Sequence, residues 1–217
     1  MHVTTGAETA NKMPPTRKGL ATRERLLSAA EIVFGQNGYE QSRVADIVAE
    51  AGMSHGLFYR HFADKDAILN AVLMRLNENL RHSSGRTSGE ALVPTLEQLQ
   101  QRNILFFKEY AEHRLLLRVS REAAALSGKD GFRVQWLQNR NRFVMRTCRW
   151  IEELMLAGHI SAIDSPLTVA EALSALTEQM AYVSVGLADA DPDDEALEQL
   201  GRTCGLIWHR TLFGLAA

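Results

Sequence analysis

The residues Ser54, His55, Gly56, Leu57, Tyr59, Arg60 and His61 concentrate hydrogen-bonding and close-contact groups in one short stretch. A hydroxyl, an imidazole and a guanidinium can each meet a base edge or a phosphate oxygen. Gly56 lets a backbone approach a partner closely, and Leu57 offers only an apolar contact, of the kind a thymine methyl accepts. Ser42 and Arg43, a little earlier, can do the same work on phosphates. This is the chemistry of reading a duplex.

Such side chains read DNA only if helices hold them against a groove. Val44, Ile47, Val48 and Ala51 recur at three- and four-residue spacing, the apolar face of one short helix. Ser42 stands ahead of that face as its expected N-cap. Gly52 ends the helix, because a left-handed residue costs least without a Cβ. Ser54 then caps the next helix, whose inward face is Phe58 and Phe62. Two helices joined by so tight a Gly-containing turn form a helix-turn-helix.

The longer pattern carries a resemblance. Thr22-Arg23-Glu24-Arg25-Leu26-Leu27, Phe34, Gly38-Tyr39, Val44, Asp46-Ile47, Ala51-Gly52-Met53-Ser54, Gly56, Phe58-Tyr59-Arg60-His61-Phe62 and Lys65 resemble the tetracycline-repressor (TetR) family of bacterial transcriptional regulators. The resemblance implies that Tyr59, His61 and Lys65 clamp phosphates. It also implies a body domain that encloses a small inducer, and a last pair of helices that forms a four-helix dimer interface. Leu57 stands where many members carry Thr or Ser, and Ala45 where a base is frequent.

Composition agrees with a protein that meets DNA by one end. The net charge of −2 excludes a polycation, so affinity must come from local patches. Lys12, Arg17, Lys18, Arg23 and Arg25 face only Glu24 between residues 12 and 25, whereas 164–200 holds nine acids and no Lys or Arg. Arg17 and Lys18, at the end of an expected disordered arm (1–20), can lie along phosphates or enter a minor groove.

The remainder reads as all-α, about nine helices in all. Residues 21–66 form the expected three-helix DNA-binding domain and 67–217 a helical ligand-binding and dimerisation domain. Thr22 is the expected cap of the first helix, with Asn37-Gly38 its stop, and Asp64 caps the fourth. Beyond the loop at 83–89 the expected helices are 91–110, 113–126, 130–157, 166–188 and 192–213, with Ser165-Pro166 and Asp191-Pro192 as start signals. In the light of the resemblance, Phe106, Phe107, Tyr110, Trp136 and Phe143 become pocket candidates, with Asn103, Asn139, Arg140, Gln179 and Tyr182 as orienting polar groups. Arg133, Arg140, Arg142, Arg146 and Arg149 give the long helix a basic side. Leu176, Met180, Val183, Leu197, Gly201, Cys204, Gly205 and Trp208 are the expected dimer face, the two Gly permitting close helix approach.

Other classes find less support. The seven His are scattered, and no H-E-x-x-H, Gly-rich phosphate loop or G-x-S-x-G occurs. No catalytic, metal or cofactor site is expected. Cys148 and Cys204 lack paired spacing and read as buried small hydrophobes. Without a signal-peptide pattern or a membrane-length apolar run, the expected location is the cytoplasm. The partners expected are an operator duplex, a small-molecule inducer and a second copy of the chain. A ligand-free architectural DNA binder and a helical enzyme are the alternatives.

Overall fold

In the computed structural model, residues 17–84, 89–126 and 132–214 are described, and every regular element among them is helical. The first is α1 (Arg17–Gln41), broken at Gly38, whose φ of 73° closes the helix proper. It begins before the expected start. Thr22 is not its cap but an inner residue, its hydroxyl donating to the Lys18 carbonyl at 2.9 Å. The arm before residue 17 lies outside the described residues.

Next come α2 (Val44–Glu50) and α3 (His55–Tyr59). The cap of α2 is Arg43, whose backbone N–H donates to Asp46 at 2.9 Å. Ser42, expected there, is instead turned inward, 2% exposed. Its hydroxyl bonds the carbonyls of Gly38 at 2.5 Å and Val33 at 3.3 Å. Ser54 does cap α3, accepting from the Leu57 N–H at 3.3 Å. Asp64 caps α4 (Lys65–Ser84) through the Ala67 N–H at 2.7 Å.

One apolar core unites head and body. Leu26, Phe34, Ile47 and Phe58 of the head are fully buried with Ile68, Leu69 and Val72 of α4. Leu116, Ala123, Ala124 and Phe132, from beyond the head, belong to that same core. α4 therefore has one side in each part.

The body continues with α5 (Leu96–Glu112), α6 (Arg114–Leu126), α7 (Phe132–Leu156), α8 (Pro166–Ala181) and α9 (Asp194–Phe213). α5 starts later than expected, at a reciprocal cap: Thr95 Oγ accepts from the Gln98 N–H, and the Gln98 side chain accepts from the Thr95 N–H. Ser165 caps α8 with Pro166 in its first turn, as expected. The cap of α9 is Asp193 rather than Asp191, whose carboxylate instead meets Arg114 at 2.6 Å. After α8 the chain winds one π turn (Tyr182–Gly186). Arg114 supplies a reason, for its guanidinium takes the carbonyls of Val185 at 3.4 Å and Ala188 at 2.6 Å just where the helix ends. Among the described residues no helix is long and apolar enough to cross a membrane.

Candidate nucleic-acid interface

The helix-turn-helix is held from behind. Phe58 is fully buried and Phe62 nearly so, their ring centroids 5.8 Å apart. Arg25 of α1 donates to the Ala51 carbonyl at 2.8 Å, satisfying the free end of α2 and tying it to α1. Arg23 lies over the Phe62 ring at 5.2 Å. Sequence reasoning assigned neither Arg such a task, since a tie across 26 residues leaves no local spacing signal.

With the apolar side fixed inward, the opposite side faces solvent. Ser54, His55, Gly56 and Arg60 are exposed, and Tyr59 is 57% exposed with its ring edge-on to Phe58. Leu57 and His61 are half-buried. Arg17 and Lys18, at the start of α1, and Arg43, at the cap of α2, are exposed too. A Cβ built at Gly56 meets no atom within 4 Å. The fold itself does not demand glycine there.

Two candidates are engaged within the chain. Ser42 cannot reach a phosphate from its buried position; its hydroxyl serves α1. Lys65 is half-buried, donating to the Tyr39 carbonyl at 2.8 Å with its ammonium 4.0 Å above the Tyr39 ring. Tyr39 in turn hydrogen-bonds Asp66 and stacks on Phe132 at 6.5 Å. Burial and that carboxylate push its phenol pKa up. These contacts splice α1, α4 and α7.

In the body, the pocket candidates divide between two cores. Phe107 and Tyr110 pack with Ala181, Val185, Leu197 and Cys204, while Trp136 and Phe143 rest on the head's core. Phe106 touches both. Burial raises the Tyr110 phenol to about 12. Asn139 is 5% exposed and its Oδ1 has no hydrogen-bond partner among the described residues, whereas Asn103 spends its amide on the Leu99 carbonyl at 2.9 Å. Arg140 is neutralised by Glu178 at 2.8 Å, with Glu171 at 3.9 Å. Burial still raises the Glu178 pKa against the pull of that Arg. Gln179 is exposed and accepts from Arg121 at 2.8 Å; the same guanidinium covers the Tyr182 ring at 4.1 Å. Arg140 and Gln179 are thus committed to protein partners.

The expected dimer face is largely internal. Leu197, Gly201, Cys204 and Gly205 are buried within the chain. A Cβ at Gly201 would stand 2.5 Å from the Ile104 Cα, and one at Gly205 2.5 Å from the Gln100 Cα. The close approach these glycines permit is therefore between α9 and α5 of one chain. Trp208 donates to the Thr177 hydroxyl at 3.0 Å, and Met180 lies 3.4 Å from the Cys204 sulfur. Leu176 is half-buried. Only Val183 of the set is exposed, at 51%, and Ala172, Ala175, Leu187, Ala196 and Gln199 are exposed as well. Both stripes of these helices are apolar, so periodicity alone did not separate the inner from the outer.

Comparison with known proteins bears on the head first. Residues 26–72 match the family model described as bacterial regulatory proteins, tetR family. The chain is 36% identical over 78 residues to the HTH-type transcriptional repressor DhaR of Mycobacterium sp. (strain GP1), covering 36% of this chain and 39% of that protein. It is 33% identical over 57 residues to the HTH-type transcriptional regulator UidR of Escherichia coli (strain K12), covering 26% and 29%. These matches thus span under two-fifths of the length of the curated relatives. The whole fold has solved counterparts. Salmonella enterica GusR superposes with a TM-score of 0.75 at 19% identity, covering 92% of this chain and 99% of that one. A bacterial regulatory protein of the tetR family from Rhodococcus RHA1 gives 0.65 at 19%, covering 90% and 98%.

Proposed function

We propose, for a chain that belongs by its head to the tetR family of bacterial regulatory proteins, a ligand-responsive repressor that binds a palindromic operator as a dimer. The observation that carries the reading is the exposed row His55, Gly56, Tyr59 and Arg60 on a helix whose other side is locked into the core by Phe58. Base edges would be read by the front of α3. Arg17, Lys18 and Arg43 would meet phosphates on either side.

One head offers little surface, so two are needed. The exposed apolar residues of α8 and the segment after it, Ala172, Ala175, Val183 and Leu187, would face a second copy. A two-fold pair of heads then asks for half-sites about one helical turn apart, roughly 34–36 Å or somewhat more.

Release by ligand follows from α4. It carries the head at one end and is buried along Leu69, Leu73 and Leu76. A small, mainly apolar inducer among Phe106, Phe107, Tyr110 and Trp136 would tilt this lever and spoil the spacing of the two heads. Its leverage is bounded by its differential affinity for the two states, typically about 1–3 kcal/mol, or roughly 5- to 150-fold. By reciprocity, operator must weaken ligand binding by the same factor.

The test is selection from a random duplex pool, followed by affinity measurement across salt. The expected result is an enriched inverted repeat, with Val183→Arg leaving a folded monomer that binds it far more weakly. An enriched non-repeating motif, or a Val183→Arg chain that dimerises normally, would overturn the dimer reading. No sequence enrichment with strong salt-dependent binding would favour an architectural protein instead.

A further inference from the structure

Behind the head, where α1, α4 and the α5–α6 corner meet, lies a cluster of side chains that the DNA reading leaves unused. Glu109, Glu112 and His113 occupy positions i, i+3 and i+4 on the end of α5, one helical face. Their ligand atoms all lie within 4.8 Å of one another, with His113 Nε2 3.6 Å from a Glu109 oxygen. The other ring nitrogen, Nδ1, stands 2.7 Å from Glu31 of α1. Glu31 is itself held by Arg75 of α4 at 2.6 Å.

Two features of this arrangement call for a cation. First, acids at the carbonyl end of a helix oppose its dipole, and the last turn of α5 contains no Lys or Arg. Second, the neighbouring bases have other partners. Lys108 meets Asp194 and Glu198, Arg114 meets Asp191 and two carbonyls, and Arg75 meets Glu24 and Glu31. With Nδ1 on Glu31, the other ring nitrogen, Nε2, faces the Glu109 carboxylate, where a positive charge, a proton or a metal ion, is favoured. A carboxylate that orients an imidazole through one nitrogen and leaves the other free is also the usual support behind a metal-ligating His.

We propose that Glu109, Glu112 and His113 bind one divalent transition-metal ion of the zinc class, with Glu31 as the positioning residue. Imidazole combined with carboxylates suits zinc, cobalt or nickel, whereas calcium and magnesium favour all-oxygen sets. Because Glu31 sits on α1 and shares Arg75 with α4, the ion would stiffen the joint between head and body. The site does not depend on the repressor reading and is measured without DNA.

The experiment titrates Zn²⁺, and separately Co²⁺, into the untagged, chelator-stripped full chain, by calorimetry and by visible absorption of bound Co²⁺. One ion per chain is expected. Glu112→Gln, an exposed position that leaves the fold intact, and Glu109→Gln should each weaken binding at least tenfold, and His113→Gln should abolish it. Glu31→Gln should keep the stoichiometry while weakening affinity by roughly 10- to 100-fold. Unchanged binding in Glu112→Gln and Glu109→Gln would overturn the site, as would the lack of any saturable binding. So would a ¹⁵N NMR signal showing His113 Nε2 still protonated at neutral pH under saturating Zn²⁺, since the cluster would then hold a proton instead.

Discussion

Gly56 in the head and Gly201 in the body are the same residue with opposite surroundings. A methyl added to Gly56 points into open space; one added to Gly201 strikes backbone and side chain of Ile104 at 2.5 Å. The body spends Gly201 and Gly205 on its own packing. The head keeps one where nothing in its fold requires it, on a five-residue helix where glycine costs stability. On the proposed reading, a glycine the fold does not need would let a partner come close. The contrast separates residues that build the molecule from residues that use it, and mutations can press on either side.

The largest effect should come from Gly201→Ala. The Ile104 contacts include backbone nitrogen and Cα, which cannot swing aside, so α5 and α9 must part. A cost of about 3 kcal/mol, at the upper end of ordinary overpacking, is expected in urea unfolding. If Gly201→Ala were neutral, α9 would have slack against α5, and the internal role assigned to this glycine would fail.

Next comes Ser54→Ala, about 1 kcal/mol from the lost N-cap of α3. Here stability and function should move together, because the cap sets where His55 and Gly56 stand. An unfolding midpoint unchanged from wild type would mean the 3.3 Å bond to the Leu57 N–H contributes nothing.

These two sites also show what the sequence made legible. Ser54, Phe58 and Gly52 were readable because caps, apolar spacing and a left-handed glycine are local signals, and Gly52 indeed has a φ of 61°. Ser42 misled for the same reason. A serine before an apolar run looks like a cap, and only the return of the chain at Gly38 gives its hydroxyl better acceptors in α1. The late start of α5 was encoded in Thr95-x-x-Gln98, a capping box that lay within an apolar stretch and went unread. The body's surfaces were harder for a physical reason. α9 is apolar on more than one side, and which side is inner depends on where α5 lies, a fact about residues a hundred positions away. Leu197, Gly201, Cys204 and Gly205, expected at a dimer face, are buried within the single chain.

Gly56→Ala should produce a smaller change of opposite sign. An added methyl in open space stabilises α3 by roughly 0.5–1 kcal/mol through helix propensity alone. The same change should weaken specific DNA binding, so that stability and affinity part company. A stabilised chain with undiminished affinity would remove Gly56 from the interface. It would leave the comparison with Gly201 as a statement about packing only.

The smallest effect concerns Cys204 and decides which kind of inside it occupies. Its side chain is fully buried, 3.4 Å from the Met180 sulfur, and burial raises the thiol to about 11. At pH 8 only about one thiol in a thousand would then be ionised, and the thiolate is the species that alkylates. Cys148, 4% exposed beside Glu152, is also raised by burial. Both should resist iodoacetamide in the folded protein and react promptly in urea. Protein concentration makes the measurement sharper. A cysteine hidden between two chains is uncovered when dilution separates them, so its labelling rate would climb as concentration falls. A cysteine hidden by α5 and α8 of its own chain is uncovered only by opening that chain, and its rate should stay flat through dissociation. Flat labelling of Cys204 alongside a concentration-dependent Val183→Cys probe would assign the inner stripe of α9 to the fold and the outer stripe of α8 to the partner. A Cys204 rate that rises on dilution would return this residue to the interface.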